Sequence, residues 1–206
     1  MKFEDYLIEQ NSERIYKFIQ SVKRECKTWL SAVKNCKYKV VYRGYSGKLI
    51  DKKNVRTDRK PKDTDAKTHK KLDDMFLKKV GWRTRSEGLF VSGSSVVGTV
   101  YGDTSGMCFP TGDFKFIWSP NVHDLFAFVR PNNETILDTD ILDNYTDKNL
   151  CRAIQSFKEI TIKCKSYYVI STRYLIDNIS NSNDGEWTKG LSVGEICRSW
   201  TEEMFF

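Results

Sequence analysis

Few residues of this chain are suited to chemistry, and they are far apart in sequence. The two histidines, His69 and His123, are not clustered, and the six cysteines (Cys26, Cys36, Cys108, Cys151, Cys164 and Cys197) contain no Cys-x-x-Cys pair. A zinc site is therefore not expected, and the cysteines read as buried, reduced thiols. Nothing beside either histidine suggests a Ser-His-Asp or Cys-His arrangement. Phosphate-loop, dinucleotide-fingerprint, nucleophile-elbow and HExxH patterns are all absent, which sets aside the common nucleotide-hydrolase, Rossmann, serine-hydrolase and zinc-protease chemistries. Three short elements remain. Arg43 lies in Tyr42-Arg43-Gly44 and offers a guanidinium that can grip a phosphate through paired hydrogen bonds. Ser92-Gly93-Ser94-Ser95 follows an apolar strand and leads into a helix start, a place where small hydroxyl residues can meet a polar ligand. Glu159 opens the alternating run Glu159 to Cys164. Each also has an ordinary reading, as a strand-end arginine, turn hydroxyls and an exposed strand carboxylate.

Charge adds a fourth element. The chain carries a net charge of +7, and ten Lys/Arg against four Asp fall between Lys48 and Lys71. This segment, with Lys52, Lys53, Arg56 and Arg59 at its centre, can attract nucleic acid or an acidic protein surface, or form a solvated face.

The elements that must position these residues follow from periodicity. Ile15, Phe18, Ile19, Val22, Cys26, Trp29, Leu30 and Val33 recur at steps of three and four, predicting one amphipathic helix from Ser12 to Val33. Lys37 to Tyr42 reads as a strand ended by Arg43-Gly44, and residues 44–63 as a polar connection. A second helix, capped by Asp63 or Thr64 and stopped by Gly81, carries the stripe Ala66, His69, Leu72, Phe76 and Val80. A strand over Gly88 to Ser92 and a short helix to Tyr101 follow. Met107 to Trp118 reads as a hairpin around Pro110-Thr111-Gly112-Asp113. Short helices are expected near Asp124 to Val129 and Asp147 to Phe157. Two strands joined by a tight Lys165-Ser166 turn come next, and a closing helix contains Leu191, Val193, Ile196, Trp200 and Phe205. The composition, 39% hydrophobic and 30% charged, fits an α+β protein. One domain is expected over 1–206, comprising an N-terminal helical region 1–36, a core 37–172 and an extension 173–206. No apolar run is long enough for a bilayer, and the acidic start does not read as a signal peptide, so the expected location is the cytoplasm with no membrane partner.

In their order and strand placement, Tyr42-Arg43-Gly44, Ser92-Gly93-Ser94 and Glu159 resemble the Arg-Ser-Glu signature of the ADP-ribosyltransferase fold, the cholera-toxin-like and mono-ADP-ribosyltransferase group, and most closely its small phage-encoded members. The resemblance spans roughly residues 38 to 172 through motifs of two to five residues. It implies a mixed or antiparallel split β-sandwich core, NAD as substrate and no metal. In the family pattern Arg43 and Gly44 contact NAD, Ser92 and Ser94 line the ribose side, and Glu159 is catalytic. Such a carboxylate stabilises the oxocarbenium-like centre that forms when the nicotinamide–ribose bond breaks. Tyr101 or Phe109 is the nearest aromatic to stack on nicotinamide. The family's middle Thr is Gly93 here, and Phe157 stands where arginine-modifying members carry a first Glu, which implies another acceptor. That acceptor, an acidic host protein or a nucleic acid, would meet Lys52, Lys53, Arg56 and Arg59. For a phage protein the location is the host cytoplasm, with packaging in the virion as the alternative.

Overall fold

A computed structural model describes residues 3–59, 64–123, 125 and 140–179. The helix expected near Asp124 to Val129, apart from Leu125, and the closing helix lie outside the described residues.

The N-terminal apolar stripe forms two helices, α1 (Phe3–Glu25) and α2 (Lys27–Val33), parted at Cys26. Ser12 lies within α1 and does not cap it. Phe18, Val22, Cys26, Trp29 and Val33 are all buried, as the spacing requires. Phe18 meets Phe109 and Tyr168 edge-on, with ring centroids 6.3 and 5.6 Å away, so α1 seals one face of the sheet.

Among the described residues seven strands follow: β1 (Val41–Tyr45), β2 (Ile50–Asn54), β3 (Leu89–Ser92), β4 (Thr104–Pro110), β5 (Lys115–Trp118), β6 (Glu159–Lys163) and β7 (Ser166–Ser171). They form one antiparallel sheet in the order β2-β7-β4-β1-β3-β6-β5. The fold is α+β with an N-terminal helix, as expected. Its helices also include α3 (Ala66–Val80), α4 (Thr84–Glu87), α5 (Ser95–Val100), α6 (Asp140–Asp143), α7 (Leu150–Gln155) and α8 (Thr172–Ile179). Helix α3 is capped by Asp65, one residue beyond the expected pair, whose side chain accepts from the Thr68 N–H at 2.9 Å. It stops at Gly81, whose φ of 79° is the left-handed conformation glycine adopts without strain. Leu72 and Phe76 of α3 pack with Trp82, Ile117 and Tyr145 into a second apolar cluster.

Strand pairing departs from the sequence reading in three places. Residues 50–54, read as connection, form an edge strand on β7, with Lys52 opposite Tyr168. The hairpin over Met107 to Trp118 does not exist, because β4 lies between β1 and β7 while β5 pairs with β6. Its turn is instead held from outside: Thr111 N–H donates to the Ser166 carbonyl at 3.0 Å, and Gly112 N–H to that of Glu25 at 2.9 Å. The strands β6 and β7 are joined by a short turn but do not pair, since the chain there crosses from one half of the sheet to the other. These halves, β2-β7-β4-β1 and β3-β6-β5, share a single registered pair, Tyr42 opposite Ser92.

The expectation of reduced cysteines also fails for two of them. Cys36 and Cys151 form a disulfide across 115 residues, tying the chain after α2 to α7. Cys26, Cys108 and Cys164 are free, and burial pushes each thiol up to about 12.

Candidate functional site

The single rung between the half-sheets lies in the middle of the candidate residues. Tyr42 stands opposite Ser92, and Ser92 opposite Glu159, so the two motif residues and the neighbour of Arg43 are consecutive along one line across β1, β3 and β6. Paired residues share a face, which puts Ser92 and Glu159 on the same side and starts Arg43 on the other. Past Tyr42, however, β1 and β3 have no further registered pair. The Arg43 side chain bridges that parting: its Nη1 donates to the Phe90 carbonyl at 3.1 Å.

Ser92 is buried, and its hydroxyl is engaged on both sides, donating to the Phe157 carbonyl at 2.8 Å and accepting from Ser94 N–H at 3.2 Å. It therefore acts on the chain before Glu159 and does not face an open cleft. Phe157 has φ 58°, a left-handed conformation rarely adopted by an aromatic residue, just beyond the end of α7. Its N–H bonds back to Ile154, and its ring lies 5.4 Å from that of Tyr38. This turn delivers Glu159 to the start of β6, where its N–H donates to His123 at 3.1 Å. Gly93 explains the missing Thr of the motif: a Cβ there would stand 1.9 Å from the Ile154 carbonyl oxygen, so α7 leaves no room for a side chain. Ser94 is the cap of α5 and accepts from Val96 N–H at 3.3 Å. Gly44 continues β1 opposite Ser105.

Of the two aromatics suggested for stacking, Phe109 is excluded. It is fully buried on β4 beneath α1, where every residue of the strand is buried and Phe18 packs on its ring. Tyr101 is largely exposed beyond the end of α5.

The basic segment divides. Lys52 and Lys53 lie on β2, with β7 and β4 between them and β1, about 14 Å at ordinary strand spacing. Lys52 is bonded to Glu25 at 2.5 Å, Lys53 lies 3.6 Å from Asp51, and Arg56 lies 3.6 Å from Asp58. Lys52 and Lys53, expected to meet the acceptor, therefore lie away from the motif residues, because residues 50–54 form the far edge of the sheet. Arg59 alone of the four returns to the motif residues, its guanidinium 4.4 Å over the ring of Phe90.

Sequence reasoning missed two neighbours of this point. Arg85, on α4, lies 5.7 Å over the same ring. His69 sits in a buried cluster with Asp73 and Ser86: the Ser86 hydroxyl donates to Asp73 Oδ2, while His69 Nε2 lies 3.0 Å from Ser86 Oγ and 3.4 Å from Asp73 Oδ2. This is not a nucleophilic triad, because the carboxylate and the hydroxyl meet the same ring nitrogen and Nδ1 has neither. Asp73 also accepts the N–H groups of Arg85 and Ser86, so its role is to fasten α4. Burial, then the charges of Arg43 and Arg85, hold Arg59 below the usual arginine range, with Glu159 opposing. Burial, followed by Arg85 and Arg59, lowers His69 against the pull of Asp73. A signal was available for His69 only as part of the predicted helical stripe, and for Arg85 there was none, since it falls between the predicted helix and strand and nothing in the sequence points α4 at Phe90.

A separate groove of about 440 Å³ opens between the start of α5 and α8, with Ser95, Asp103, Ser105, Thr172 and Arg173 among its lining residues. Of the residues singled out in the sequence only Ser95, the last of the Ser92 to Ser95 run, lines it. Among the described residues no group of His, Cys, Asp and Glu could hold a metal, and no helix is long and apolar enough to cross a membrane. The chain matches no protein-family model, no curated protein and no solved structure.

Proposed function

We propose that this chain is an NAD-dependent ADP-ribosyltransferase of the small phage-encoded type that modifies a host macromolecule. The observation that supports this reading is the line Tyr42, Ser92, Glu159 across three neighbouring strands, with Arg43 at its head. Strand register puts Ser92 and Glu159 side by side, and Arg43 starts from the other face of β1 next to Tyr42. In this reading Glu159 stabilises the positive charge that develops on the ribose as nicotinamide leaves. Arg43 has donors besides the one on Phe90 with which to bind a pyrophosphate. Ser92 is a positioning residue, setting Glu159 through Phe157. With an aromatic at position 157, the acceptor is a group other than an arginine side chain.

The test is release of nicotinamide from NAD, with NAD affinity followed in parallel by calorimetry. The wild-type chain is expected to bind and cleave NAD. Glu159→Gln is expected to lower cleavage about 10²-fold or more with affinity nearly unchanged, the pattern of a group that acts in the transition state. Arg43→Ala is expected to weaken NAD binding itself. Binding without cleavage in the wild type would leave a non-catalytic phage accessory protein, and no binding at all would remove NAD from the account.

A further inference from the structure

Three side chains from three different segments bring hydrogen-bonding nitrogens to one place with nothing to bond. Among the described residues, Arg59 Nη1, Arg85 Nε and His69 Nδ1 are buried and lack a partner. Arg59 and Arg85 lie over the same Phe90 ring, and both perturb His69. Leaving even one such group buried and unsatisfied costs about 1–3 kcal/mol, more for a charged one, so three in a cluster call for a ligand. The charge favours an anion: Arg43, Arg59 and Arg85 lie near one another against Glu159 and Asp73, and Asp73 is already engaged by Ser86 and the α4 backbone.

We infer that Arg59, Arg85 and His69 form a phosphate-binding pocket on the Phe90 side of the sheet. The guanidiniums supply charge and directed N–H donors, the combination that suits phosphate oxygens. His69 adds an acceptor. With the Ser86 hydroxyl donating to Asp73, Nε2 carries the ring proton toward Ser86, and Nδ1 of the neutral ring is an acceptor. A phosphate dianion, HPO4²⁻, still carries one O–H, which donates to Nδ1, so the proton in that contact comes with the ligand. The charged groups that bear on His69 are Asp73 from its own helix, Arg85 from α4 and Arg59 from the segment after β2. Half-buried Arg59, Arg85 and Phe90 leave the pocket open to solvent on one side. This inference stands apart from the transferase reading, because it needs neither NAD nor Glu159.

The experiment titrates the full chain with inorganic phosphate and with pyrophosphate at pH 7.5, by calorimetry in buffers of different ionisation heat and by NMR of the His69 ring. Saturable binding with a moving His69 signal is expected, its heat nearly the same in each buffer because the ligand brings its own proton. Arg59→Gln and Arg85→Gln should each weaken it tenfold or more, and Lys52→Ser, at the far sheet edge, should not. Absence of binding, or equal weakening by Lys52→Ser, overturns the proposal, as does full affinity in both arginine variants. Circular dichroism of the variants separates loss of the pocket from loss of fold. Competition identifies the source of the phosphate: pyrophosphate displaced by NAD places the dinucleotide's own phosphates here, and simultaneous binding assigns the pocket to a second phosphorylated molecule. Failure of NAD turnover leaves both arms interpretable.

Discussion

The hydroxyl of Ser92 holds the carbonyl of Phe157 at 2.8 Å, although 65 residues separate them. The bond joins the end of β3 to a left-handed turn and fixes the chain two residues before Glu159. Ser92→Ala leaves that carbonyl without its donor and is expected to cost about 1–3 kcal/mol in urea unfolding. Phe157→Gly, which removes the strain of φ 58°, is expected to change stability by less than about 1 kcal/mol, since the lost Tyr38 contact offsets the relief. A large loss in Phe157→Gly would mean that the ring, not the backbone conformation, matters at this turn.

Gly93→Ala places a methyl group against the Ile154 carbonyl, and backbone cannot yield as a flexible side chain does. A destabilisation of about 1–3 kcal/mol is expected, read as a lower melting temperature. Unchanged melting would show that α7 can move away from β3.

Glu25 ties α1 to the edge strand. Hydrogen bonds from Lys52 and Arg24 hold its carboxyl at about 2, against an ordinary value of 4.5. A lowered carboxyl pKa contributes stability that is fully present above the unfolded value and disappears as pH falls toward the folded one. The stability difference between wild type and Glu25→Gln should therefore be constant above pH 6 and shrink between about pH 5 and 2. A pH-independent difference would show that the ion pair contributes nothing.

The disulfide gives a redox prediction. By loop-closure entropy, a cross-link spanning 115 residues is worth about 4–5 kcal/mol, so reduction or Cys36→Ser should lower the melting temperature clearly. Cys26, Cys108 and Cys164, with thiols pushed up to about 12, should resist alkylation in the native protein at pH 8 and react once it is unfolded. Rapid native alkylation at Cys108 would contradict its full burial.

What could be read in the sequence was local. The stripe through Phe18, Val22, Trp29 and Val33 and the cap and stop of α3 follow from spacing and from glycine's freedom at Gly81. Arg43, Ser92 and Glu159 were legible as strand-linked motifs. Pairing was not legible, because a tight turn such as Pro110 to Asp113 looks the same whether the strands beside it pair or part. The Arg59, Arg85 and His69 cluster was hidden for the same reason: its members come from three segments, and only the placement of α3 and α4 against β3 brings them to Phe90. The edge strand β2 was hidden by composition, since Ile50-Asp51-Lys52-Lys53-Asn54 is charged as exposed edges often are.

Strand order also governs when the sheet can assemble. Strand β2 has one partner, β7, which is more than a hundred residues away in sequence, and β7 must enter between β2 and β4. A growing chain therefore holds Ile50 to Asn54 unpaired until Ser166 to Ser171 has been made. Among the described strands no rung closes through a tight hairpin, so each waits on the closure of a long loop, and folding should be slow for a chain of this size. Until β7 arrives, the outer edges of β4 and β2 stay open to any passing strand, which makes the last-made of the described strands the sheet's guard against self-association.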